Sequence, residues 1–169
     1  MRRTRPGYTL LELIVVMFLI GIVFFLVIPR FEASFFLDDA KRSSRWLLAK
    51  FQSLREEALR THRQQILNID VERSRFWETS ALMTPEETEL ALRRAQFLPG
   101  GGRVVGVDFP YRGRVNAGQT QIRFFPDGSS DRALVHLMHG DATTSFLVEP
   151  FLSQVKMFDT AVGFEDVRL

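Results

Sequence analysis

The chain has 169 residues, enough for one compact domain with its own core plus an anchoring segment. It contains no cysteine, which excludes a disulfide framework and a thiolate metal site. The formal charge of +2 is misleading about partners. Arg2, Arg3 and Arg5 lie in the first seven residues, and without Met1–Gly7 the charge becomes −1, so the basic excess is local.

The N-terminus is the most informative segment. Leu13–Ile28 carries no charged and no polar side chain, and from Tyr8 to Ile28 the only side chain charged at neutral pH is Glu12. As a helix that stretch spans roughly 30 Å at about 1.5 Å per residue, the thickness of a bilayer core. A buried core helix rarely stays apolar all round over such a length. Three arginines precede the run and no comparable cluster follows it, which places the N-terminus in the cytoplasm and the remainder outside. A cleaved secretory signal should end at small residues suited to cleavage, whereas the run is followed by Pro29-Arg30-Phe31-Glu32-Ala33-Ser34, which offers no such pair. A plain anchor leaves Glu12 unexplained, since a carboxylate in lipid costs a few kcal/mol unless paired.

Arg5-Pro6-Gly7-Tyr8-Thr9-Leu10-Leu11-Glu12 resembles the type III signal of type IV prepilins and type II secretion pseudopilins. That signal has a basic leader ending in Gly, an aromatic first mature residue, and Glu at the fifth mature position before a long apolar helix. Tyr8 replaces the commoner Phe. The resemblance implies cleavage by a prepilin peptidase between Gly7 and Tyr8 and methylation of the new Tyr8 amine. It also implies that Glu12 faces the N-terminal amine of a neighbouring subunit during assembly. Pro29 falls where the family's first helix often kinks.

Past Pro29 the helical pattern continues. Phe36, Ala40, Leu47, Phe51, Leu54 and Ala58 share one face to about His62, with Asp39, Lys41, Arg42, Arg45, Lys50, Arg55, Glu56 and Glu57 on a solvated face. Then the period changes to two. Leu67, Ile69 and Val71 alternate with Asn68, Asp70 and Glu72 as in a half-buried strand, and Arg75–Thr79 reads as its hairpin partner. Thr84-Pro85-Glu86-Glu87 has the N-cap, first-position proline and acids of a helix start, predicting a short helix to about Gln96. Gly100-Gly101-Gly102 reads as a flexible connection. Strands are predicted at Val104–Phe109, Ile122–Phe125, Leu134–Met138, Ser145–Val148 and Leu152–Phe158.

The expected fold is therefore α+β and pilin-like: a long N-terminal helix packed on a mainly antiparallel β head. The expected segments are leader 1–7, transmembrane helix half 8–29, amphipathic helix half 30–64 and periplasmic head 65–169. Ile122-Arg123-Phe124-Phe125-Pro126-Asp127-Gly128-Ser129 resembles the strand-turn of the GspH/FimT group of minor pseudopilins and minor pilins.

Enzyme signatures are absent from the sequence. His136 and His139 are three apart in a predicted strand, which sends them to opposite faces, so no shared metal is expected. The triple glycine lacks the Lys-Ser/Thr sequel of a phosphate loop, and no Gly-x-Ser-x-Gly elbow occurs. Asp127–Asp131 lacks the ligand series of an EF-hand and reads as turn chemistry. No catalytic residue, metal or cofactor is expected. What the resemblance implies is an inner-membrane, single-pass minor pseudopilin near the tip of a type II secretion pseudopilus, partnered by prepilin peptidase and by other minor and major pseudopilins. The alternative is a FimT-like minor pilin that binds DNA for uptake, with Arg103, Arg112 and Arg114 around Tyr111 as its basic patch.

Overall fold

The computed structural model describes residues 10–152 and 154–167, and within the first helix the side chains of 24–38 fall outside the description. The chain divides into two compact units, Met1–Leu37 and Asp38–Leu169. Helix α1 (Leu10–Thr61) contributes to both.

In the second unit the predicted stripe on α1 is the centre of the core. Leu47, Phe51, Leu54 and Ala58 are buried to within 2% of full exclusion. They join one apolar cluster with residues from two antiparallel sheets. The first sheet has the order β3-β2-β1-β6, with β1 (Gln65–Asp70), β2 (Arg75–Ser80), β3 (Gln96–Phe97) and β6 (Gln119–Phe124). The second has the order β5-β4-β7-β8-β9, with β4 (Arg103–Phe109), β5 (Gly113–Val115), β7 (Ala133–His139), β8 (Ala142–Val148) and β9 (Lys156–Phe158). Leu67, Ile69, Ile122 and Phe124 meet the helix from the first sheet, and Val107, Val135, Leu137 and Phe146 from the second. In β1 one face meets this cluster, which is why alternation was readable there, while Leu134 and Leu147 turn the other way into a second small cluster with Val167.

Four local expectations are corrected. Arg55, assigned to the solvated helix face, is buried, because the connection after β8 folds over it. Asp70, expected to face solvent from β1, is only 3% exposed. Its Oδ1 accepts from the Arg73 amide at 2.9 Å and its Oδ2 from Arg75 at 3.1 Å. Burial pushes this carboxyl up, but the hydrogen bonds from Arg73 and Arg75 outweigh it and hold the group below the ordinary range. The strand expected over Leu152–Phe158 shrinks to β9, and the Leu152 carbonyl is instead taken by the Arg55 guanidinium. The triple glycine is packed rather than slack. Gly100 has φ of 77°, and a Cβ there would lie 2.7 Å from the Asp39 carbonyl oxygen, while one on Gly102 would strike the His139 ring.

Helix α2 (Pro85–Arg93) begins as predicted. Thr84 Oγ1 accepts from the Glu87 amide at 3.2 Å, and the Thr84 amide donates to Glu87 Oε2 at 2.8 Å, closing a capping box. It stops before Gln96 because Gln96 and Phe97 pair with Phe76 and Arg75 as the short edge strand β3. Two-residue β3 and three-residue β5 were invisible in the sequence, being too short for any period to register.

Candidate functional site

The N-terminal part of α1 presents a run of exposed apolar side chains. From Leu10 to Val23 its large side chains point outward, with Leu10 77% and Phe18 67% exposed. So much contiguous apolar surface on one helix requires apolar surroundings. Glu12 occupies the first turn of α1, where the unpaired amides of a helix favour a carboxylate. Gly7 and Tyr8, and the side chain of Pro29, lie outside the described residues. Among the described residues no helix is long and apolar enough to cross a membrane; the described apolar side chains end at Val23, partway along the run that the sequence marks.

In the head, the three arginines singled out in the sequence do not form one patch. Arg103 opens β4 and Arg112 follows its far end, so the strand holds them roughly 20 Å apart at about 3.3 Å per residue. Arg114 Nε lies 3.2 Å from Asp108 Oδ1 across the β4–β5 pair. Arg112 lays its guanidinium on the Phe109 ring, 4.1 Å from the centroid. Sequence reading missed Arg123 and Arg132, which the turn after β6 brings to the same end of the head as Arg112. No local signal marked them, since their proximity arises from pairing between distant strands.

The histidines occupy separate environments. His136 is 1% exposed, with Nδ1 2.9 Å from Ser145 Oγ and Nε2 3.2 Å from Asp108 Oδ2. Burial lowers its pKa, opposed by Asp108 and reinforced by Arg114. Ser145, His136 and Asp108 have the residue types of a hydrolytic triad, yet Ser145 is wholly buried and its hydroxyl donates to the Thr160 carbonyl at 2.6 Å. A nucleophile so enclosed meets no substrate, so the trio fixes the C-terminal segment to β8. His139 Nε2 lies 3.0 Å from Ser43 Oγ, beside the glycine turn, and burial lowers its pKa too. Among the described residues no three His, Asp or Glu side chains gather as a metal site. Asp127 Oδ1 accepts from the amide and hydroxyl of Ser129 at 2.9 and 2.6 Å, and Asp131 pairs with Arg123 at 2.8 Å, so this acidic turn uses its carboxylates internally.

The family described as type II transport protein GspH matches residues 44–149, and the prokaryotic N-terminal methylation motif matches residues 2–28. The chain belongs to the GspH family. It is a minor pseudopilin of type II secretion, a structural subunit rather than an enzyme. The GspH match runs from the amphipathic end of α1 through β8, the elements that build the shared core. The methylation motif implies processing by a prepilin peptidase, and GspH membership implies other pseudopilins as partners. The family further implies a pseudopilin anchored in the inner membrane and working in the periplasm. No match is found among curated proteins or solved structures.

Proposed function

We propose that this GspH-type subunit is cut between Gly7 and Tyr8, methylated on the Tyr8 amine, and anchored by a single span over residues 8–29. The N-terminus lies in the cytoplasm and the head in the periplasm. The observation that carries this reading is the uncharged run Leu13–Ile28, preceded by three arginines and interrupted on its N-terminal side only by Glu12. Exposure of the apolar side chains from Leu13 to Val23 supports it, since water is a poor solvent for that surface.

In this reading Gly7 admits the scissile bond to the peptidase because it has no side chain. Glu12 then pairs with the terminal amine of a neighbouring subunit, because a carboxylate in lipid needs a cation. Pro29 bends the helix where the anchor meets the amphipathic half 30–64, since proline removes an amide donor from the helix ladder. The head 65–169 sits near the tip of the pseudopilus and supports export of folded proteins across the outer membrane.

N-terminal sequencing of the protein extracted from membranes tests the proposal. A mature chain starting at Tyr8 is expected, and Gly7→Leu should accumulate as uncut precursor in the inner membrane. A mature chain that starts elsewhere, or retains Met1, overturns it.

A further inference from the structure

Three loops converge at one end of the head: the β4–β5 turn, the turn after β6, and the connection after β8. They enclose a groove of about 350 Å³ bordered by Tyr111, Arg112, Arg123, Arg132 and Pro150. Tyr111 is 99% exposed and Phe151, next to Pro150, is 86% exposed. Exposed aromatic side chains beside arginine are the residue types that dominate protein–protein contacts.

The charges at this end are unequal in their availability. Arg123 is held by Asp131 at 2.8 Å, Arg132 by Glu149 at 2.9 Å, and Arg114 by Asp108 at 3.2 Å. Arg112 has no carboxylate partner among the described residues. Its guanidinium lies over the buried Phe109 ring, a cation–π contact that restrains the side chain and leaves the N–H groups without a carboxylate. A guanidinium held in this way is prepared for two parallel hydrogen bonds to one carboxylate, and little side-chain entropy remains to be lost on binding.

The geometry points to a docking site in this groove for an acidic segment of another subunit, one that places a carboxylate on Arg112 and an apolar side chain against Tyr111 and Pro150. The inference rests on the reading of the chain as an assembly subunit. Charge complementarity selects protein over nucleic acid as the occupant. A phosphate backbone gains affinity by engaging many free cations, whereas two of the three arginines that line the groove already share their charge with carboxylates. The volume suits one or two side chains rather than a duplex.

The test uses the full-length protein in detergent micelles and two labelled, capped peptides, Gly-Asp-Leu-Glu-Phe-Gly and its amide counterpart Gly-Asn-Leu-Gln-Phe-Gly. Fluorescence polarisation should show the acidic peptide binding about tenfold more tightly than the amide peptide. Arg112→Gln should remove that preference, Tyr111→Ala should weaken both peptides, and Arg93→Gln on α2 should change neither. Circular dichroism checks that each variant is folded, and Arg112→Lys, which keeps the charge but loses the fork, should restore the preference only in part. Cleavage at Gly7 in the Arg112→Gln variant separates the two ideas: normal processing with lost selectivity supports the groove, and failed processing in the parent chain counts against the subunit reading instead. Equal affinity for the two peptides overturns the docking site. So does tighter, steeply salt-dependent binding of a short DNA duplex that Arg112→Gln abolishes, which would assign the groove to nucleic acid.

Discussion

Arg55 Nη2 donates to Ser130 Oγ at 2.9 Å, joining the C-terminal part of α1 to the segment just past the Pro126-Asp127-Gly128 turn. The same guanidinium donates to the Glu149 carbonyl at 3.0 Å and to the Leu152 carbonyl. No carboxylate pairs with it among the described residues, and burial lowers its pKa. A buried cation whose two terminal nitrogens donate to neutral oxygens, while its Nε has no partner among the described residues, holds three segments at once: the helix, the turn after β6 and the connection after β8. It therefore also shapes the floor of the groove that contains Ser130 and Pro150.

Arg55→Met should destabilise the head by about 2–4 kcal/mol, because the loop carbonyls lose charge-assisted donors that water cannot easily replace. Chemical unfolding of the full-length protein in micelles measures this. Arg55→Lys should fall between the parent and Arg55→Met, since an ammonium cannot span all three acceptors. An unchanged midpoint for Arg55→Met would show that the loop holds its position without the guanidinium.

Stability should fall as the pH drops below about 6.5, the ordinary histidine pKa. His136 and His139 both have lowered pKa values in the fold, through burial first. The unfolded chain therefore takes up protons at a pH where the folded chain stays neutral, and ΔG of unfolding rises with pH in that window. Each histidine adds a slope of at most about 1.4 kcal/mol per pH unit. His136→Leu should lower stability overall, by removing a buried partner of Asp108 Oδ2 and Ser145 Oγ, and should flatten the slope between pH 5.5 and 7. The lowered Asp70 carboxyl acts in the same direction at more acid pH, contributing stability that is lost near and below about 4. A slope unchanged by His136→Leu would place the proton uptake elsewhere.

Glu12→Leu should insert and be processed normally, since removing the charge makes the anchor more compatible with lipid. Its incorporation into the pseudopilus, read by crosslinking between subunits, should nonetheless fall, because the neighbouring amine loses its counter-charge. Wild-type crosslinking in this variant would give the carboxylate another purpose.

The elements with long, regular periods were legible in the sequence. The stripe from Leu47 to Ala58, the alternation through Leu67 and Ile69, and the capping box at Thr84 each state a local rule that the fold obeys. Arg55 and Asp70 broke their patterns for a different reason. Arg55 is licensed to be buried by partners far along the chain, which no window around it contains, whereas the partners of Asp70, Arg73 and Arg75, are close in sequence but reach it only through the turn that joins β1 to β2.

The sequence by itself determined the N-terminal methylation motif over residues 2–28 and the uncharged run Leu13–Ile28, because both are patterns of neighbouring residues. Only the tertiary structure decided which arginines are available at the surface. Antiparallel pairing set Arg114 against Asp108 and Arg123 against Asp131, separated Arg103 from Arg112 by the length of β4, and left Arg112 stacked on Phe109. Ion pairing depends on distance in space, and strand register fixes that distance between residues that the chain keeps apart.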